Sequence, residues 1–296
     1  MPKIHQTLRM QFWFSLFLLG AALRTPIQAQ LIIKLATITP DNSPWNDTLY
    51  AAGEQVEKLT EGRIRLRIYG NGLAGEENEV LRKIRLGSVD AGVFTAISLK
   101  SVVPETLVLS LPYFIKNEES LQRVLDELTP SFNTSFAENG YEILGWAFSG
   151  WIYMFYKDNI RSPSQVSNVR LGVGPTEPEL QAAWRAVGFR VTTVSFSDTF
   201  ISLQNGILTG FHASPIGALA YQWFAFTPYM VDSKIAPLLG AILISKRSWR
   251  RVSPGDQAII RNEINKMIKE FSNVAREQDA RALALMKKNG LEVYKP

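Results

Sequence analysis

Two groups of carboxylates, Glu76, Glu77 and Glu79, then Glu177 and Glu179, are the side chains best suited to acid–base work in this chain. A facing pair would suit glycoside hydrolysis, one acid protonating a leaving group while the other serves as base or nucleophile. Both groups also stand where helices begin, where the backbone dipole favours negative charge. An exported hydrolase is therefore kept as an alternative, and the expectation is a protein that is not an enzyme. Other catalytic sets lack their parts. Histidine occurs only at His5 and His212, no G-x-S-x-G turn presents a serine, and cysteine is absent. Disulfides and thiolate sites are excluded, and too little imidazole remains for a zinc centre. No metal is expected.

The loop Gly70-Asn71-Gly72-Leu73-Ala74-Gly75 fits G-x-G-x-x-G after a strand and before a helix, with Asp90 further on. That pattern can cradle a dinucleotide. Here the preceding strand is half polar, and Glu76 and Glu77 would repel a pyrophosphate at the helix start. A turn lining a cleft is the expected role, and no cofactor is expected.

Aromatic residues form the strongest local signal. Trp146 to Tyr156 holds six in eleven residues, and Tyr221 to Phe226 adds four in six. Part of this is core packing. The first run, however, lies where the chain passes from its first half to its second, and such crossings commonly line ligand clefts.

The elements that position these residues follow from hydrophobic periodicity. Leu31–Ala36 reads as a short strand, and Trp45, Leu49, Ala52, Val56 and Leu59 share one face of a helix that Gly62 ends. Arg63–Tyr69 alternates, with Ile64, Leu66 and Ile68 inward and three arginines outward. A helix over Glu76–Leu86 and a strand from Ala91 complete a β-α-β-α-β order, the signature of a parallel sheet with helices on its faces. Beyond lie a helix over Glu118–Leu128 and a strand over Tyr141–Trp146. A second β/α set follows: strand Val169–Val173, helix Pro178–Val187, strand Arg190–Val194 and helix Ser197–Asn205. A long amphipathic helix closes the chain over about Pro254–Lys288. Two αβ lobes are implied.

The chain has 296 residues, 46% hydrophobic and 20% charged, with a formal net charge of +5. Lys3, Arg9 and Arg24 belong to a leading segment without acidic residues; beyond it 29 basic side chains face 27 acidic ones. Such a balance gives no electrostatic reason to expect nucleic acid. The apolar run Phe12–Leu23 is shorter than the roughly 20 residues that span a bilayer. With its basic flank and Ala29 at a cleavage point, residues 1–29 read as a signal peptide, and the mature chain is expected outside the cytoplasm. A retained N-terminal anchor is the alternative.

Across nearly the whole mature chain, the order of elements and several phrases resemble the extracytoplasmic solute-binding (P) subunits of TRAP transporters. The phrases are Leu35-Ala36-Thr37 with Pro40 and Ser43-Pro44-Trp45, Gly70 to Glu76, Arg85 to Asp90, Leu111-Pro112-Tyr113-Phe114, Ser162-Pro163, Gly188 with Phe196-Ser197, and Leu203 to Gly210. The resemblance implies an α/β fold of the periplasmic binding protein kind, two αβ lobes joined by crossing strands and a long bridging helix, closing on a small solute for delivery to a membrane permease. Lobe I is expected over residues 31–149 plus 239–277, and lobe II over 150–238 plus 278–296.

The departures from the family pattern bear on the ligand. The family's carboxylate-binding arginine falls at Gly172 in Asn168-Val169-Arg170-Leu171-Gly172-Val173, a second arginine falls at Ile152, and a ligand-binding asparagine at Ala213. A guanidinium is the usual partner of a buried carboxylate, so an ordinary dicarboxylate or sialic acid is not expected. Trp151, Ile152, Tyr153, Phe155, Phe211, Ala213, Trp223 and Phe226 are expected to line an apolar cleft, with Gly172 making room. An eight-carbon chain buried there would contribute about 6 kcal/mol before ordering costs. The expected ligand is a small hydrophobic or amphipathic molecule, its headgroup meeting His212 or Arg170. Arg170 shares the strand face of Gly172, so an organic-acid binder using Arg170 is the alternative. The resemblance to variants lacking the arginine also implies a TPR-repeat lipoprotein as a possible partner beside the permease subunits.

Overall fold

A computed structural model describes residues 30–41, 43–175 and 177–295; the expected signal peptide lies outside the described residues. Strands β1 (Leu31–Ala36), β2 (Ile64–Tyr69) and β3 (Ala91–Thr95) are parallel and alternate with α1 (Pro44–Leu59) and α2 (Glu77–Leu86). A four-residue α3 (Ala96–Leu99) and a 3-10 turn over Pro104–Ser110 lead to α4 (Glu118–Glu138). This helix runs ten residues beyond the expected end, through Pro130, because Phe132 and Phe136 bury in the next turns.

The expected strand Tyr141–Trp146 is the first part of a longer one. β4 (Tyr141–Tyr156) continues through the whole aromatic run and crosses from one lobe into the other. Its partner in crossing is β9 (Ala236–Ser245), paired antiparallel from Tyr141 opposite Ser245 to Ile152 opposite Ala236. Lobe II supplies β5 (Arg170–Val173), α5 (Pro178–Ala186), β6 (Arg190–Thr193), α6 (Thr199–Gln204), β7 (Gly210–Ala213), α7 (Pro215–Ala220) and β8 (Tyr229–Val231). After β9 come α8 (Lys246–Trp249), α9 (Pro254–Lys288) and β10 (Glu292–Tyr294). The main strand order is β2-β1-β3-β9-β4-β7-β5-β6.

Each half of the sheet is covered on both faces. In lobe I, one face packs Leu81, Phe94, Phe136, Phe148 and Trp151, and the other packs Leu35, Leu49, Ile242 and the first half of α9. In lobe II, Met154, Leu171 and Trp184 fill one face, while Phe155, Leu208, Phe211 and Trp223 fill the other. Helix α9 joins the two. Ser253 caps its start by accepting from Asp256 N, Ile260, Ile264, Met267 and Phe271 enter the lobe I core at helical spacing, and Met286 enters the lobe II core. The result is a two-lobed α/β fold tied by a strand pair and one long helix.

Candidate functional site: the cleft between the lobes

Parallel strands place the loops at their C-terminal ends along one edge, where α/β proteins commonly bind ligands. In lobe I that edge carries Thr95, at the end of β3, and Glu77, at the start of α2. The Glu77 carboxylate accepts from Thr95 N at 2.7 Å, from Thr95 Oγ1 at 2.8 Å and from Ser98 Oγ. Burial nevertheless pushes the Glu77 carboxyl above its usual range. In lobe II the corresponding edge carries Glu177 and Glu179, after β5. Lys100 of lobe I pairs with Glu179 across the gap. Burial raises the Glu177 carboxyl, nearby Lys100 lowers it and Glu77 adds repulsion. The lobes thus close on one ammonium and three carboxyls.

The crossing strand bends at this level. The β4–β9 register shifts between Phe148 and Trp151, and Gly150 takes φ 113°. The carboxylate of Asp279, from α9, fills the space beside that glycine and accepts from Ile216 N at 3.0 Å and from Trp151 N. Burial raises Asp279 to about 6.

A cavity of about 370 Å³ opens in lobe II among Phe196, Phe200, Tyr221 and Trp223. Phe196, 62% exposed, follows β6 at the same C-terminal edge and meets Tyr221 edge-on at 4.8 Å and Trp223 at 5.1 Å. Phe200 packs edge-on against Phe226 at 5.4 Å. Of these four cavity residues only Trp223 belonged to the expected cleft wall. Phe196 was legible in the sequence only as part of a family phrase, and Lys100 and Asp279 carried no signal, being single charges on unremarkable segments.

The structure disperses the expected apolar wall. Phe155, 0% exposed, stacks on Phe211 at 4.8 Å inside lobe II, so both are core residues rather than cleft lining. Ile152 turns to the opposite face, against the core that contains Met154 and Trp184. His212 pairs with Met154 in the strand register and lies 6.0 Å from Trp184 on that same face. Its Nδ1 is buried without a partner, and burial lowers its pKa to about 4, which favours the neutral ring on that face. Gly172 does not make room for solute: a Cβ there would lie 2.7 Å from Leu208 Cδ1, so the vacated space holds Leu208. The alternative through Arg170 meets a similar obstacle. Its Nε donates to Ile207 O at 3.0 Å and its Nη2 to Gly206 O at 2.7 Å, which ties the guanidinium to the turn after α6.

Trp151, Tyr153, Ala213, Trp223 and Phe226 stand differently. Trp151 is buried on Phe148, with the Lys234 ammonium 4.8 Å from its ring centre. Tyr153 is half-buried, touches the cores of both lobes and lies opposite Ala213; burial raises its hydroxyl to about 12. Trp223 is buried with its ring 5.2 Å from Phe211 and borders the aromatic cavity.

The glycine-rich loop has its own occupants. A Cβ on Gly70 would meet Asp41 Oδ1 at 2.0 Å, and one on Gly75 would meet Glu79 Oε2 at 2.2 Å. The carboxylates of Asp41 and Glu79 therefore crowd the glycine-rich loop, and Asp90 accepts from Lys34 N and Ser248 Oγ within lobe I. Among the described residues no three His, Asp or Glu side chains are grouped to share a metal ion.

With this geometry in hand, the class is defined: a two-lobed binding protein with its edge loops meeting across a cleft. Residues 35–296 match the family described as bacterial extracellular solute-binding protein, family 7, and the chain belongs to that family. The resemblance drawn from the sequence is thereby confirmed at family level, and the role is binding, not catalysis. Among relatives, a solute-binding protein of Chromohalobacter salexigens is 24% identical over 79% of this chain and 70% of its own length. The C4-dicarboxylate-binding periplasmic protein DctP of Rhodobacter capsulatus is 23% identical over 92% of this chain and 82% of its own. Among solved structures, a TRAP periplasmic solute-binding protein of Chromohalobacter salexigens with bound D-glucuronate superposes with a TM-score of 0.83 at 22% identity, covering 89% of this chain and 88% of that one. Another from Desulfovibrio salexigens, with bound orotic acid, gives 0.81 at 16% identity, covering 90% and 86%. No helix among the described residues is long and apolar enough to cross a membrane.

Proposed function

We propose that the chain is the periplasmic receptor subunit of a TRAP-type secondary transporter, and that its solute is a small hydrophobic or amphipathic molecule held mainly by aromatic contact. The observation that carries this reading is the engagement of Arg170 by the Gly206 and Ile207 carbonyls. With Gly172, Ile152 and Ala213 at the family's polar positions and Lys100 paired to Glu179, a solute carboxylate meets no uncommitted guanidinium among these groups. Burying an anion without a partner costs several kcal/mol. In this proposal Tyr153, Ala213, Trp151, Trp223 and Phe226, with Phe196, Phe200 and Tyr221, lie near the solute. The partners in this proposal are the membrane permease subunits and a TPR-repeat lipoprotein. The lobe boundaries are 31–149 plus 239–277 and 150–238 plus 278–296, and residues 1–29 are a cleaved signal.

A second reading, an organic-acid binder using Lys100 as the carboxylate partner, is favoured by relatives whose structures hold D-glucuronate and orotic acid. Native mass spectrometry of gently purified mature protein separates the two. A co-purified molecule with a hydrocarbon body supports the proposal; a uronate or dicarboxylate overturns it.

A further inference from the structure

Lys100 caps the end of α3 in lobe I, and Glu179 stands in the first turn of α5 in lobe II. Their side chains form an ion pair, and among the described residues neither has another. The Lys100 side chain is only 17% exposed, against 55% for Glu179, so the ammonium has little water to take its partner's place. The other ion pairs among the described residues lie within lobe I or within α9. Strands β4 and β9 and helix α9 also join the lobes, and they stay continuous when a two-lobed protein opens. The Lys100–Glu179 contact joins elements on opposite sides of the cleft, so it exists only while the lobes are closed.

Closure also gathers like charge. Glu77 is held by Thr95 and Ser98, which are neutral donors, and Glu177 lies near both Glu77 and Lys100. Glu76, exposed beside Glu77, adds a further carboxyl. Carboxylates brought together out of water repel one another, and a cation placed among them offsets that repulsion. An ordinary surface ion pair contributes little, because water competes for both partners. Here the ammonium is largely withdrawn from water and lies among several carboxyls, so its removal would leave their repulsion uncompensated. We infer that Lys100 is a closure latch: its ammonium, bound by Glu179 and offsetting Glu177 and Glu77, holds the lobes together before solute enters and so sets the receptor's open–closed balance. The latch rests on the binding-protein reading of the cleft and not on which solute fills it. A solute then shifts an equilibrium that is already poised instead of driving closure alone.

The chain has no cysteine, so two introduced ones carry the only spin labels. Asn78→Cys on α2 and Ala182→Cys on α5 replace exposed, neutral residues on opposite lobes. Their separation is read by double electron–electron resonance on solute-free mature protein, so a solute of another class leaves the result unchanged. The expected result is a short, closed distance in the parent whose population, relative to the open one, falls about fivefold or more in Lys100→Met and is kept in Lys100→Arg. Glu179→Gln, at an exposed helix position, is expected to lower it about threefold and serves alone if Lys100→Met does not fold. The reversed pair, Lys100→Glu with Glu179→Lys, is expected to recover most of it. Salt at about 1 M should lower the closed population in the parent and not in Lys100→Met. A solute-free parent with no closed population overturns the latch. So does a distribution that Lys100→Met and Glu179→Gln leave unaltered, or a reversed pair that stays open.

Discussion

Gly150 and the Asp279 carboxylate compete for one space: a Cβ on Gly150 would lie 2.2 Å from Asp279 Oδ2. The glycine also holds φ 113°, a conformation that other L-residues rarely adopt. Together they let the bridging helix α9 grip the crossing strand where it bends. Gly150→Ala is expected to destabilise the protein by an amount on the order of 1–3 kcal/mol. Urea denaturation checks this, and an unchanged midpoint would show that the close approach is not needed.

Asp279 should also leave a mark on the pH profile. Burial raises its folded pKa to about 6 from 3.8, against the lowering effect of the Ile216 and Trp151 N–H groups. The folded state therefore holds this proton more tightly than the unfolded chain, so this group's contribution is fully present below about pH 4 and fades as pH rises through about 6. Asp279→Asn should remove that component. The measurement is the difference in unfolding free energy between wild type and variant across pH 4–7; a difference that does not change with pH contradicts the assignment.

Arg170 is read as a structural residue. Arg170→Ala loses two charge-assisted hydrogen bonds to backbone carbonyls, each worth about 1.5–3 kcal/mol. Stability should drop measurably in denaturant while affinity for the natural solute stays within about twofold. A large loss of affinity without loss of stability would return Arg170 to the binding site.

Much of the fold was legible because its signals are periodic. The alternation of Arg63–Tyr69 and the helical spacing of Ile260, Ile264, Met267 and Phe271 both appear as read. The second crossing strand, Ala236–Ser245, was not read as a strand. It is covered on both faces and shows a nearly continuous apolar run, without the alternation that marks a half-exposed strand. The site was harder for a related reason. Tyr153 and Phe155 share a strand face, but only the first touches both lobes, and spacing along β4 does not say where the cleft ends and the core begins. Nor does the sequence around Arg170 reveal that carbonyls from a turn more than thirty residues later would claim its guanidinium.

Calorimetric titration of ligand-stripped mature protein with D-glucuronate tests the central claim most directly. With Arg170 tied to backbone carbonyls and Lys100 paired to Glu179, the account predicts no binding tighter than about millimolar, a free energy of about −4 kcal/mol. Saturable micromolar binding that disappears in Lys100→Ala would contradict it.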